Sequence, residues 1–217
     1  MSGTDTGSAT LDALLAHGVV PVVRTPTAAL AVKAVEWLHA AGITTVELTL
    51  TIPDVLAVVR ELSGDGAVLV GAGTVLGAKQ ATACLDAGAR YVVSRAVCTE
   101  VVAPCRDAGV PCVLGAATPS EVLAAARAGS DAVKIFPVSS LGGAGHVKAL
   151  KAVFPGVMLA PTGGIGVEQI GDYLRAGAAF VGVGGRLVDV AALERGDRDA
   201  VEAAARTALA QVAGARR

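Results

Sequence analysis

Short apolar runs rich in β-formers alternate along the chain with longer stretches in which apolar residues recur every three and four positions. The runs are VVPVVR (19–24), ITTVELT (43–49), AVLVG (67–71), RYVVS (90–94), VPCVLG (110–115), DAVKIF (131–136), VMLAP (157–161) and AFVGVG (179–184). Each predicts a strand, and the stretches between them, such as TAALAVKAVEWLHAAG (27–42), predict amphipathic helices. Most of these helices stop at a glycine, Gly42, Gly88, Gly109, Gly129 or Gly177, the residue that best tolerates a left-handed helix end. Thr99 before Glu100 and Thr118 before Pro119 read as helix openings. Eight strand–helix units of right-handed βαβ type close into a (β/α)8 TIM barrel. An open doubly wound sheet is the alternative, which the regular spacing disfavours. The whole chain, 1–217, reads as a single barrel domain. A short helix at 9–17 covers the bottom, and a last helix at 198–213 follows the final strand.

Strand side chains alternate in direction. In DAVKIF the apolar Val133 and Ile135 share the face that meets the helices, so Lys134 points into the barrel with Ala132 and Phe136. The same parity turns Thr45, Glu47 and Thr49 inward on the second strand, and Val20, Val22 and Arg24 onto one face of the first. A lysine, a glutamate and an arginine thus converge near the C-terminal mouth, where barrel enzymes keep their chemistry. Burial disfavours the charged form of an amine, and a deprotonated lysine is a nucleophile suited to forming a Schiff base with a carbonyl. A neighbouring carboxylate can shuttle the protons that imine formation needs. A purely structural Lys134–Glu47 ion pair stays open on parity alone. Two glycine stretches, PTGGIG (161–166) and GVGGR (182–186), follow the last two strands. Free N–H groups in such loops cradle phosphate in many barrels, although plain tight turns would read the same. GAGTV (71–75) lets the backbone approach a ligand and offers the Thr74 hydroxyl.

Composition sharpens this picture. Hydrophobic residues make up 53% of the chain and charged residues 17%, so the strands should be buried on both faces. The net charge is −1 and the only basic run is at the C-terminus, which argues against nucleic acid or a membrane surface as partner. No apolar run reaches the roughly 18 residues of a membrane span, and the polar start MSGTDTGSAT lacks the order of a signal peptide. A cytoplasmic protein is expected. Cys84, Cys98, Cys105 and Cys112 form no CxxC pair and have no histidine at ligand spacing, although Cys98 and Cys105 could share a helix face. Small buried thiols in a reducing compartment are the simpler reading. His17, His39 and His146 are scattered. No metal site and no cofactor are expected.

Taken in order, VELT (46–49), GAGTV (71–75), TPSE (118–121), VKIFP (133–137) and PTGGI (161–165) resemble the successive motifs of the 2-keto-3-deoxy-6-phosphogluconate (KDPG) and 4-hydroxy-2-oxoglutarate (KHG) aldolase family. The resemblance runs over roughly 15–215. It implies a homotrimer of (β/α)8 barrels that performs metal-independent class I aldol cleavage of a 2-keto acid. The products are pyruvate and an aldehyde, glyceraldehyde 3-phosphate or glyoxylate. Carried onto this chain, it makes Lys134 the Schiff-base residue and Glu47 the acid/base. Thr74 helps bind the pyruvyl carboxylate, Phe136 walls the imine, and Thr162, Gly163, Gly164, Gly184 and Gly185 surround the phosphate.

The chain departs from the pattern in three places. Many members have an arginine for the pyruvyl carboxylate where this chain has Thr51. A branch of the family ends its first strand with an arginine, and Arg24 matches it, so the carboxylate clamp falls to Arg24. The run after the fourth strand is Ser94-Arg95-Ala96, and Arg186 stands where a serine often follows the last glycines. Arg186 could bind an anion there, and Arg95 could do likewise at the mouth; either difference would suit another aldehyde, including one without phosphate. Two other readings remain: a phosphate-binding barrel enzyme without Schiff-base chemistry, and a catalytically inert barrel serving as a scaffold.

Overall fold

A computed structural model describes residues 6–217; residues 1–5 of the polar N-terminal stretch lie outside the described residues. Eight parallel strands form one sheet: β1 (Val19–Val23), β2 (Thr45–Thr49), β3 (Leu69–Gly73), β4 (Tyr91–Val93), β5 (Cys112–Ala116), β6 (Ala132–Ile135), β7 (Leu159–Pro161) and β8 (Val181–Val183). From β1 to β7 each strand pairs with the next in sequence, and β1 also pairs with β8. A bridge from Thr162 to Gly182 and a bond from the Ala179 N–H to the Leu159 carbonyl join β7 to β8. The ring therefore closes, and an open sheet is ruled out.

Alternation sorts the strand residues between two cores. Outward residues such as Val46, Leu48, Val133, Ile135 and Val181 join the layer between strands and helices. Inward residues Val20, Tyr91, Val93, Val113, Ala132 and Ala160 fill the barrel axis with Phe180. Fully burying each such valine or leucine side chain is worth about 1.5–3 kcal/mol, so a one-residue slip in any strand would be heavily disfavoured. Helix α1 (Thr6–His17) closes the bottom through Leu14, which belongs to the axial core. The predicted strand parity holds: Lys134, Glu47 and Thr45 all turn inward, and the Thr45 hydroxyl meets the Tyr91 hydroxyl at 3.3 Å inside the barrel.

The outer helices are α2 (Ala28–Ala40), α3 (Val55–Asp65), α4 (Ala78–Asp86), α5 (Val102–Asp107), α6 (Pro119–Arg127), α7 (Gly143–Val153), α8 (Ile170–Arg175), α9 (Val190–Arg195) and α10 (Arg198–Ala215). The five glycines expected to end helices all have positive φ. Thr118 caps α6 in a reciprocal box with Glu121. Thr99 does not act as a cap. It begins a 3-10 turn, Thr99–Val101, that leads into α5 without a side-chain capping bond. Cys98 precedes that turn, so it does not share a helix face with Cys105. The sequence pattern also missed α9, which is only six residues long. Its signals were Asp189 before it and Gly196 after it. No helix among the described residues is long and apolar enough to cross a membrane.

Candidate active site

A cavity of about 700 Å³ opens at the C-terminal ends of the strands. Its floor is the pair Lys134 and Glu47. The lysine Nζ donates to both carboxylate oxygens, at 2.9 and 3.0 Å, and the two side chains are only 3% and 4% exposed. The reach is set by the sheet. Glu47 stands on β2 and Lys134 on β6, across the axis from one another, and both point inward. Glu47 lies over Gly73 at the end of β3, and a Cβ on that glycine would run into the carboxylate. The second glycine of GAGTV therefore clears space for a catalytic-type side chain. Beneath the pair, the buried Tyr91 phenol is pushed well above its ordinary range by desolvation, so it stays protonated at any working pH.

Every site residue expected from the sequence lines this cavity: Arg24, Glu47, Thr74, Lys134, Phe136, Thr162, Gly163, Gly164, Gly184 and Gly185. Thr74 is unusual. It takes a left-handed backbone, φ 66°, which is costly for a β-branched residue, and its buried hydroxyl has no hydrogen-bond partner. Such strain is characteristic of a position shaped to meet a ligand. Thr51, which occupies the family's arginine position, shares a hydrogen bond with Thr49 at 2.8 Å and does not line the cavity.

The rim is cationic. Arg24, Arg95 and Arg186 all face the cavity, and none forms an ion pair among the described residues. The acidic lining residues are both engaged: Glu47 with Lys134, and Asp189 with the N–H groups of Ala191 and Ala192, where it caps α9. That cap uses the first free donors of α9. Anion binding on this side therefore falls to the glycine turns and the arginines. Arg95 lies over the Phe136 ring, 5.5 Å from its centroid. The apolar wall of Ile165, Val188, Val190 and Ala191 was not foreseen. Val188, Val190 and Ala191 come from the α9 region, which carried too short a pattern to read, and Ile165 from the glycine turn after β7. None of the three histidines lines the cavity, and no cluster of three or more metal-ligating side chains stands together among the described residues.

A closed (β/α)8 barrel with a buried amine–carboxylate pair under a cationic mouth defines the class: a (β/α)8 barrel whose pocket suits an anionic ligand. A family model described as KDPG and KHG aldolase matches residues 12–204. A 2-dehydro-3-deoxy-phosphogluconate aldolase of Pseudomonas aeruginosa is 32% identical, covering 92% of this chain and 91% of its own length. A KHG/KDPG aldolase of Escherichia coli K12 is 30% identical over 88% of this chain and 90% of its own. The structure of a KDPG aldolase from Legionella pneumophila, with pyruvate captured at low pH as a covalent carbinolamine intermediate, superposes with a TM-score of 0.83. It is 29% identical and covers 92% of this chain and 97% of the other. The chain belongs to the KDPG and KHG aldolase family, and it is an aldolase, a lyase.

Proposed function

We propose that the protein cleaves KDPG, or a related 4-hydroxy-2-keto acid, to pyruvate and an aldehyde through a Schiff base on Lys134. The observation that carries this reading is the buried contact of Lys134 with both oxygens of Glu47 at the cavity floor. A proton passed to Glu47 frees the amine lone pair, which attacks C2 of the keto acid. Glu47 returns a proton to the carbinolamine hydroxyl, water leaves, and a protonated imine remains. Glu47 then takes the proton of the C4 hydroxyl. The C3–C4 bond breaks, its electron pair moves into the iminium to give an enamine, and the aldehyde departs. Protonation of the enamine at C3 and hydrolysis release pyruvate and restore the lysine. Covalent catalysis divides one difficult step into easier ones, and a fixed carboxylate presents C2 to the amine.

Thr74 and an arginine of the rim hold that carboxylate. The turns at Thr162–Gly164 and Gly184–Gly185 hold the distal phosphate, or another anion. Phe136 shields the imine. A homotrimer is the assembly implied by the family resemblance, and the four free cysteines fit a reducing compartment such as the cytoplasm. Light scattering at three times the 21.4 kDa chain mass is the check on the trimer.

The test is to incubate the protein with pyruvate and borohydride and weigh it intact, with Lys134→Ala alongside. A reduced pyruvate adduct on the wild type and none on the variant supports class I chemistry. Absence of the adduct from both rejects it.

A further inference from the structure

We infer that Arg95 is a substrate-binding residue whose guanidinium, together with the Thr74 hydroxyl, holds the carboxylate of the 2-keto acid. This deepens the proposed aldolase reading and rests on it.

Among the cavity groups without partners, two lie on neighbouring strand ends. The Thr74 hydroxyl is buried without a hydrogen bond, in a residue 8% exposed. The Arg95 guanidinium is half-buried and makes neither an ion pair nor a hydrogen bond among the described residues. The backbone brings them close. Gly73 pairs with Val93, so Thr74 and the segment leading to Arg95 leave adjacent strands, about 4.8 Å apart. That segment then leans over β5. The Gly115 N–H donates to the Ala96 carbonyl at 3.0 Å, and a Cβ on Gly115 would collide with the Arg95 backbone. Gly115 in turn pairs with Lys134. Arg95 thus reaches across a strand position without a side chain to lie over Phe136, two residues beyond the lysine.

Ring stacking is what holds the guanidinium, so its N–H edges remain free for a ligand. Five donors in a planar fork match a carboxylate through two parallel bonds. In a 2-keto acid the carboxylate is bonded to C2, the carbon Lys134 attacks. An anion site beside the lysine, with an orphan hydroxyl next to it, has the geometry of that group. Arg24 is the arginine favoured by the sequence pattern. It follows β1, which lies between β2 and β8, three strands along the sheet from the β4 end that carries Arg95 and next to the turn Gly184–Arg186. We place it with the distal anion.

Calorimetric binding of pyruvate and of its neutral methyl ester to wild type, Arg95→Met, Arg95→Lys and Arg24→Met tests this. Methionine preserves contact with the Phe136 ring and removes the charge. Arg95→Met is expected to weaken pyruvate about 10- to 100-fold, the usual loss for a charge-assisted bond, while methyl pyruvate changes less than about twofold. Arg95→Lys should recover part of the loss, as a point charge without the fork. Equal weakening of both ligands would mean that Arg95 only supports Phe136 and overturns the inference. Unchanged pyruvate binding in Arg95→Met, or a larger loss in Arg24→Met, overturns it as well. Borohydride trapping on the same wild-type sample separates the two claims. If pyruvate binds without a trapped adduct, the Schiff base is rejected, and the affinity ratio still judges Arg95. If wild type binds no pyruvate, both fall.

Discussion

Removing one member of the Lys134–Glu47 pair should cost more than removing both. Neither group has another hydrogen-bond partner among the described residues, and both side chains are almost fully buried. Deleting one partner of such a pair costs about 3–5 kcal/mol, because the other is left buried without its counter-charge. For a chain of this length each kcal/mol moves Tm by about 2–4 °C, so Glu47→Gln and Lys134→Met should each lose on the order of 10 °C. The double variant strands no charge, and replacing a whole buried pair by neutral groups of similar volume is often close to neutral. Its loss should therefore fall below the sum of the two singles, by a coupling of about 0.5–3 kcal/mol. Thermal unfolding of both singles, the double and the wild type, followed by circular dichroism in one buffer, reads all of this. A strictly additive double would refute a charge-compensated buried pair.

Gly73→Ala should leave a folded barrel with a displaced Glu47, because the new Cβ occupies the carboxylate's place. The kcat for aldol cleavage should drop about 10²- to 10⁴-fold, the usual worth of a positioned acid/base, and a fall of less than threefold would contradict the assigned clearance. The Glu121 carboxyl is held below its ordinary range by the backbone N–H groups of Ala117 and Thr118. A lowered folded pKa gives stability that is present above the ordinary carboxylate value and lost as pH falls through the folded one. Glu121→Gln should therefore lower stability slightly at pH 7, by about 1 kcal/mol or less as caps go, and match wild type in strong acid; a persistent gap there would count against the capping box. Burial pushes the Cys84 thiol up to about 11, and Cys112 is raised by its hydrogen bond with Cys105 and by burial. Of the four thiols, only the half-buried Cys98 should react quickly with a thiol reagent in the native protein, with all four reacting in denaturant. Rapid labelling of Cys84 would show that this packing opens.

The barrel was legible because periodicity is a local signal repeated many times. Each strand carries its inward or outward sense in every second residue, and a single misplaced boundary does not change the closure. The strand β6 illustrates this. The predicted run 131–136 contracts to Ala132–Ile135, yet Lys134 keeps its direction because Val133 and Ile135 fix the phase. Short elements fail for the same reason. The six residues of α9 span under two turns, too few for an apolar stripe to stand out, and only the flanking Asp189 and Gly196 mark them. Thr99 fails differently. Ser and Thr are capping residues only where the backbone leaves free N–H groups in reach, and here a 3-10 turn runs directly into α5.

At the mouth, parity located the strand-borne groups but not the loop-borne ones. Lys134 and Glu47 sit inside strands, so two letters of sequence context define their direction. Arg95 sits beyond the end of β4, where alternation no longer applies. Its position depends on Gly115, twenty residues later, being small enough for the segment to lean over β5, and on Phe136 offering a ring to rest upon. Those are contacts between three strands, and none is visible as a local pattern. The same holds for Thr74, whose unpartnered hydroxyl is a property of its surroundings and not of the GAGTV motif. A motif therefore names the candidate pair and Thr74 in this barrel, while the partners proposed to act with them come into view only when the ends of β3, β4, β5 and β6 are brought together. A change such as Gly115→Ala carries this consequence: it lies one strand from the lysine, touches no substrate, and by displacing Arg95 should weaken pyruvate binding much as Arg95→Met does, with methyl pyruvate again unaffected. If Gly115→Ala folds and binds both ligands as wild type does, the path from Gly115 through Arg95 to the carboxylate is wrong.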